Sequence, residues 1–409
     1  MTERLYYNDS HLTEFEARVL DVTPRTSGWA TVTLNRTAFY PTGGGQPSDT
    51  GTLSGARVVE CIDDEEARVL HVIRGTAPII GEVVKCEIDW ERRLDHIQQH
   101  TGQHILSQAF IELYKAETHG FRMMTEASEI DITLEHPTDE SIDRVVELSN
   151  RVIWENRQIC AQQLKADEAA RLDLRKQPAR DGDVRIIEIK GFDLTPCGGT
   201  HAHRTGEVGM IAVRHWERAK GMTRIEFVAG HRALNDYRRA NRTGREVAAQ
   251  FSVGRDDSPA SVAHLFEENK LLAKRVRSLE EITARAEAAE LLNHATPTTT
   301  GSRMISRVFT GRDAESLKRL ALALIAHPRI IVLIGSRNED AARLVFARSE
   351  NIEGDMNALM RDACMLLDGR GGGRPEFAQG GGHALDTLEE AIQAAKQRMT
   401  AQSISSPET

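Results

Sequence analysis

The sequence predicts an α+β fold built in consecutive pieces, and three observations predict it. The first ninety residues read almost wholly as short strands. The block from 91 to 245 mixes helices with strands, and beyond 255 a heptad-patterned helix leads into alternating strands and helices. A chain of 409 residues is too long for one core. The expected division is 1–90, 91–245, 255–295 and 300–400, with 401–409 a disordered tail.

The segments 15–22, 29–39, 56–62, 67–73 and 82–88 are rich in Val, Ile and Thr and separated by turn residues, which suits a small antiparallel barrel or sandwich. Over 93–113 the apolar residues Leu94, Ile97, Ile105, Leu106, Ala109, Phe110 and Leu113 recur at helical spacing. A second helix is expected over 141–160, capped by Thr138 just after Pro137. Strands follow at 184–189, 209–213 and 224–228. Small polar residues at 252–259 break the pattern. Leu265, Leu272, Leu279 and Ala286 then recur every seven residues, with Val276 and Ile282 in the alternate seam. Such a helix either packs on its own chain or pairs with a second copy. After a linker at 296–302, helix 314–326, strands 330–334 and 341–348, helix 356–367, a glycine-rich loop and helix 385–399 predict a small α/β unit.

The composition, 40% hydrophobic and 28% charged without a membrane-length apolar run, is that of a globular protein. No secretory leader is visible, and five widely spaced cysteines do not suggest a disulfide framework, so a cytoplasmic setting is expected. A net charge of −9 argues weakly against nucleic acid. Local excesses of charge answer it, at Arg232, Arg238, Arg239, Arg242 and Arg245 around Tyr237, and at Arg171, Arg175, Lys176 and Arg180.

Two short motifs carry chemistry. His100-Thr101-Gly102-Gln103-His104 places two imidazoles one helical turn apart on one face. Cys197-Gly198-Gly199-Thr200-His201 joins a thiol and an imidazole by a backbone that two glycines let turn tightly. Either motif alone is weak. Together, three imidazoles and a thiolate match tetrahedral zinc.

The stretch Arg36-Thr37-Ala38-Phe39-Tyr40-Pro41-Thr42-Gly43-Gly44-Gly45-Gln46-Pro47 resembles the glycine-rich motif of the AlaX family, free-standing alanyl-tRNA editing proteins related to the editing half of alanyl-tRNA synthetase. The His100–His104 and Cys197–His201 motifs resemble that family's two zinc motifs, in order, over roughly residues 5 to 240. Gly369-Arg370-Gly371-Gly372-Gly373-Arg374 through Gly380-Gly381-Gly382 resembles the DHHA1 domain, which gives the long AlaX class. The resemblance implies one zinc ion per chain on His100, His104, Cys197 and His201. It also implies a trans-editing deacylase for tRNA(Ala) mis-charged with serine or glycine, and a serine-hydroxyl contact by Thr37. Thr42 and Gly102 depart from residues common in relatives. Since the chain starts at the editing region, no aminoacylation activity is expected.

Catalytic helpers are sought in Gln103, Glu129 and Asp131. Substrate contacts are sought in Gly43, Gly44, Gly45 and Gln46, and in Arg239 and Arg374 for tRNA. Four protein ligands would fill a tetrahedral zinc shell, so the ion could expand its shell, release a ligand or only position substrate. A non-catalytic, zinc-stabilised tRNA-binding module is the alternative. A homodimer through the heptad helix and the DHHA1 domain is the partner arrangement to be tested.

Overall fold

The structure, a computed structural model, describes residues 1–26, 28–177, 183–298 and 301–402. It divides into two compact units, Met1–Arg255 and Asp256–Thr409. Among the described residues no helix is long and apolar enough to cross a membrane.

The first unit opens with a closed six-stranded barrel in the order Glu14–Pro24, Trp29–Leu34, Val69–Arg74, Ala56–Asp63, Gly51–Leu53, Val83–Ile88. Alternation sends Phe15, Ala17 and Val19 inward and Glu14, Glu16 and Arg18 to water. The inward set meets Val32, Leu34, Leu53, Val58, Ile73 and Val84 in one core. Closure leaves no unpaired edge, which decides for a barrel over a sandwich. Gly51–Leu53 escaped the sequence reading because three residues show no period. The strand expected over 29–39 stops at Leu34, and Arg36–Thr37 pairs in parallel with Glu3–Arg4.

Helix α1, Trp90–Tyr114, starts at Asp89, whose side chain accepts the Arg92 N–H, and stops at Lys115 in the left-handed conformation. It is buried along most of its length, polar residues included, so those residues need partners. Arg93, fully buried, holds Asp49 at 2.5 Å. It also donates to the carbonyls of Ser10 at 2.7 Å and Ala38 at 2.6 Å. Gln99 bonds the backbone N–H and C=O of Ala229 at 2.9 and 3.0 Å. α1 therefore ties the barrel to the sheet beside it.

Helix α2, Asp139–Trp154, carries a capping box between Thr138 and Ser141. The helix expected to run to 160 ends six residues earlier. Asn156 adopts a left-handed φ of 52°, and Ile159–Leu164 pairs as a strand with Val184–Ile189. Cross-strand partners distant in sequence outweigh local helical spacing here. α1 and α2 pack on a four-stranded sheet, Ile211–Ala219, Met222–Ala229, Ser128–Ile132, Thr118–Met123. The contact is made by Ile97, Leu106, Phe110, Val145, Ile130, Ile132 and Phe227. A three-stranded sheet, Ile159–Leu164, Val184–Ile189, Asp193–Pro196, leads into the Cys197 loop. The single turn α3, Ala166–Ala169, lies between the first two of these strands in sequence, and α4, Gly230–Phe251, is the unit's last helix.

In the second unit α5, Ser258–Asn293, is the heptad helix. Its end, Ala288, Leu291 and Leu292, packs against α6, Ala314–Ile325, whereas Leu265, Leu272, Val276, Leu279 and Ile282 are 49–60% exposed. Neither sequence reading of this helix covers its whole length. The sheet runs Thr296–Pro297, Arg303–Thr310, Ile330–Arg337, Ala342–Arg348, Phe377–Gly382, Gly369–Arg374. Val332 and Ile334 face α6, while Ile331 and Leu333 face α7, Met356–Leu366, and α8, Leu388–Gln402. A strand covered on both faces reads as an unbroken apolar run. The expected glycine-rich loop is a hairpin in which Gly371 faces Gly380. A Cβ would lie 2.7 Å from Cys364 Sγ on the first and 2.5 Å on the second, so glycine lets α7 lie against the hairpin. Of the expected tail, 403–409 lies outside the described residues, as does Arg180.

Candidate metal centre

α1 delivers His100 and His104 from adjacent turns, both buried, with ring centroids 5.4 Å apart. The loop after Asp193–Pro196 brings Cys197 and His201 to the same point. Cys197 Sγ lies 3.4 Å from His100 Nε2 and 3.2 Å from His201 Nε2. One donor atom from each of the four residues falls within 4.8 Å of all the others. Gly199 makes this approach possible, since a Cβ there would stand 2.2 Å from His100 Cε1.

Each imidazole is held from behind. His100 Nδ1 meets Gln46 Oε1 at 2.7 Å, His104 Nδ1 meets Asp193 Oδ2 at 3.1 Å, and His201 Nδ1 meets the Thr101 hydroxyl at 3.3 Å. With the Nδ1 atoms so engaged, the Nε2 atoms are left for the centre. This is the arrangement that orients metal-binding histidines. Gln46 also donates to Thr200 Oγ1 at 2.9 Å, which locks the barrel loop to the Cys-His loop. Asp193 is gripped by Arg175 at 2.7 Å and by the Thr195 hydroxyl at 2.7 Å.

The electrostatics follow from burial and these partners. Burial alone would raise the Asp193 carboxyl, but the His104 bond and the Arg175 charge outweigh it and hold it at about 2. Burial likewise opposes the Cys197 thiolate, yet His100 and His201 pull its pKa well below the usual thiol range. Burial lowers His201 to about 3. The opposite holds for His104, where Asp193 and the thiolate overcome burial and raise it. Three buried imidazoles and a half-buried thiolate, convergent on one point, fit a divalent ion of zinc's softness.

The centre opens on a cavity of about 580 Å³ walled by Tyr6, Tyr7, Tyr40, Gly43, Gly44 and the Cys197–Gly199 backbone. A larger, mostly apolar groove beside Leu234 and Tyr237 contains none of the four donors.

Residues 184–226 match the family described as the threonyl and alanyl tRNA synthetase second additional domain, and 301–401 match the DHHA1 domain. The alanyl-tRNA editing protein AlaX-L of Pyrococcus horikoshii is 30% identical over 391 residues, covering 93% of this chain and 94% of that one. The chain belongs to the long class of the AlaX family. An alanine–tRNA ligase of Natronomonas pharaonis is 33% identical over 407 residues, and the AlaX chain spans 43% of that ligase. The C-Ala domain of Aquifex aeolicus alanyl-tRNA synthetase is 31% identical over 24% of the AlaX chain and 92% of that domain, at a TM-score of 0.23.

In this AlaX chain the four residues expected to hold metal come together, and the expected helpers do not. Thr37 is fully buried, its hydroxyl 2.8 Å from His71 Nε2 and accepting the Phe39 N–H, and it is absent from the cavity wall. Gln103 turns along α1 to donate to Ser107 at 2.8 Å. Glu129 and Asp131 share a strand face, as alternation requires, but that face meets Arg122 and Arg224, not the cavity. The Arg224 bond holds the Asp131 carboxyl below its usual range. Gly43 and Gly44 do line the cavity. Gly45 instead packs on Phe121, and Gln46 reaches His100. Arg239 is exposed on α4 and pairs with Asp236, while Arg374 ends a strand of the other unit. Arg175, expected on a basic surface, is mostly buried on Asp193.

Sequence reasoning missed Asp193, Thr101 and the tyrosine wall. A histidine ligand needs an acceptor behind it, and Asp193, four residues before Cys197, was the nearest carboxylate to either motif in the sequence.

Proposed function

We propose that this chain is a trans-editing deacylase that hydrolyses the ester of serine, and of glycine, wrongly attached to tRNA(Ala), with one zinc ion on His100, His104, Cys197 and His201. By family it is a hydrolase of the tRNA deacylase type. The observation that carries the reading is the convergence of four donors, three buried imidazoles each backed by its own partner and the half-buried Cys197 thiol, at the end of a tyrosine-walled cavity.

When bound, zinc supplies a Lewis acid that can polarise the ester carbonyl or hold a substrate polar group. The protein's own contribution is positioning. A cavity of about 580 Å³ suits an aminoacylated terminal adenosine. The partly exposed ring of Tyr7, backed by the buried Tyr6 ring 5.0 Å away, offers stacking surface for an unpaired base. The Tyr40 hydroxyl donates to the Gly43 carbonyl at 2.9 Å and shapes the glycine turn against which the aminoacyl group would rest. With Thr37 sealed inside the fold, discrimination by the serine hydroxyl falls to the cavity wall and the metal centre, where a hydroxyl finds polar partners that an alanine methyl does not. The exposed residues Arg238, Arg242 and Arg245 with Tyr237 on α4 are the surface we assign to tRNA. We assign the exposed α5 seam to a second copy of the chain.

The test is hydrolysis of serine-charged tRNA(Ala), with alanine-charged tRNA(Ala) alongside, by wild type and by Cys197→Ala. Loss of the serine ester that spares alanine and disappears in the variant is expected. A folded, zinc-loaded wild type that leaves both esters intact would sink the enzyme reading. A closed four-donor set is also what structural zinc sites use, so that outcome would favour the tRNA-binding module.

A further inference from the structure

A second set of donors lies at the surface of the first unit. Asp9, His11 and His203 each offer a ligand atom within 4.8 Å of the other two. The two imidazoles are stacked, with centroids 3.9 Å apart and planes tilted by 28°. His203 Nε2 is 3.3 Å from Asp9 Oδ1. His11 Nε2 is 2.8 Å from Glu207 Oε2, and His11 Nδ1 is buried with no hydrogen-bond partner among the described residues.

That orphaned nitrogen decides how the cluster is read. A neutral His11 that donates Nε2–H to Glu207 leaves Nδ1 as a bare buried lone pair. A protonated His11 leaves the same atom as a buried donor with no acceptor. An ion-pair network alone therefore fails to satisfy His11 in either state, and buried polar atoms are rarely left so. A cation bound to Nδ1 satisfies it. A carboxylate behind the far ring nitrogen is also what orients an imidazole toward a metal, as Asp193 does for His104.

We propose that Asp9, His11 and His203 form a second site for a divalent transition-metal ion, with Glu207 orienting His11. Two imidazoles and one carboxylate suit zinc, cobalt, nickel or copper and not magnesium or calcium. The side chains of Asp9 and His203 are 51% and 57% exposed, so water completes the coordination shell and the ion exchanges readily. Affinity is accordingly lower than at the buried, thiolate-containing centre. The two places are mechanically joined. Ser10, between Asp9 and His11, accepts the backbone N–H of His201 at 3.1 Å, so an ion at the outer cluster braces the loop that carries a ligand of the inner one.

Cobalt(II) separates the sites, because only the inner one contains a thiolate. Metal-free full-length protein is titrated with cobalt and followed by absorption, with bound metal counted at each step. The first equivalent should bring an intense sulfur-to-cobalt charge-transfer band. A second should then bind at least tenfold more weakly and add only weak d–d bands. His203→Asn, at an exposed position, should keep the first equivalent with its band and lose the second, and His11→Gln should do the same. A wild type that stops at one equivalent overturns the proposal. So does a second equivalent that brings a new charge-transfer band or survives in both variants. None of these readouts depends on hydrolysis, so the result stands apart from the deacylase reading.

Discussion

Asp193 is the residue on which the metal centre leans most heavily without touching it. It accepts from His104 Nδ1 and is itself held by Arg175, so its charge fixes which nitrogen of His104 faces the centre. Asp193→Asn keeps the shape and removes the charge. We expect zinc affinity to fall about 10–100-fold, read by competition with a chromophoric chelator. An unchanged affinity would mean the ring is held by packing alone. His71 gives a second prediction at this scale. Burial lowers its pKa to about 4, against an ordinary 6.5. Above 6.5 neither the folded nor the unfolded chain protonates it and it has no effect. Between 6.5 and about 4 only the unfolded chain takes the proton, so stability falls as pH falls, by up to about 3 kcal/mol. Urea unfolding at pH 7 and pH 4.5 should show a smaller drop in His71→Gln than in wild type.

At the scale of elements, α1 is where the fold and the site become one problem. The same helix presents two metal donors, packs on the sheet through Ile97 and Phe110, and grips the barrel through Arg93. The Arg93–Asp49 pair is fully buried, and Asp49 also accepts the Tyr40 N–H at 2.6 Å at the head of the cavity loop. Asp49→Ala would strand a buried guanidinium and free that loop. We expect a loss of about 3–5 kcal/mol in unfolding free energy, measured by denaturant titration. A cost below 1 kcal/mol would show that water readily replaces the carboxylate. The hairpin at Gly369–Gly382 shows a different coupling. Its glycines serve the approach of Cys364 and Met360 on α7, which gives them a packing reason independent of any ligand.

At the scale of the whole molecule, the α5 seam is the feature left without a partner among the described residues, with Leu272 54% and Leu279 54% exposed. If a second copy covers it, sedimentation should show dimers in wild type and monomers in the double variant Leu272→Glu, Leu279→Glu. Dimers that persist in the variant would move the interface elsewhere. The sequence by itself determined much of this protein. Val-, Ile- and Thr-rich runs between turn residues announced five of the six barrel strands, and heptad spacing announced the long helix, because those signals are local to each element. Two five-residue motifs named all four convergent donors, because a helical turn and a Gly-Gly bend each place their side chains with no help from the rest of the chain. Contacts between segments far apart in sequence were decided only by the tertiary structure. Residues 155–160 read as helix until Ile159–Leu164 paired with Val184–Ile189. Thr37 read as a pocket residue until the closed barrel buried it on His71. Gln46, Asp193 and Thr101 carry no local mark of standing behind histidines, since that role exists only once the barrel loop, the three-stranded sheet and α1 have met.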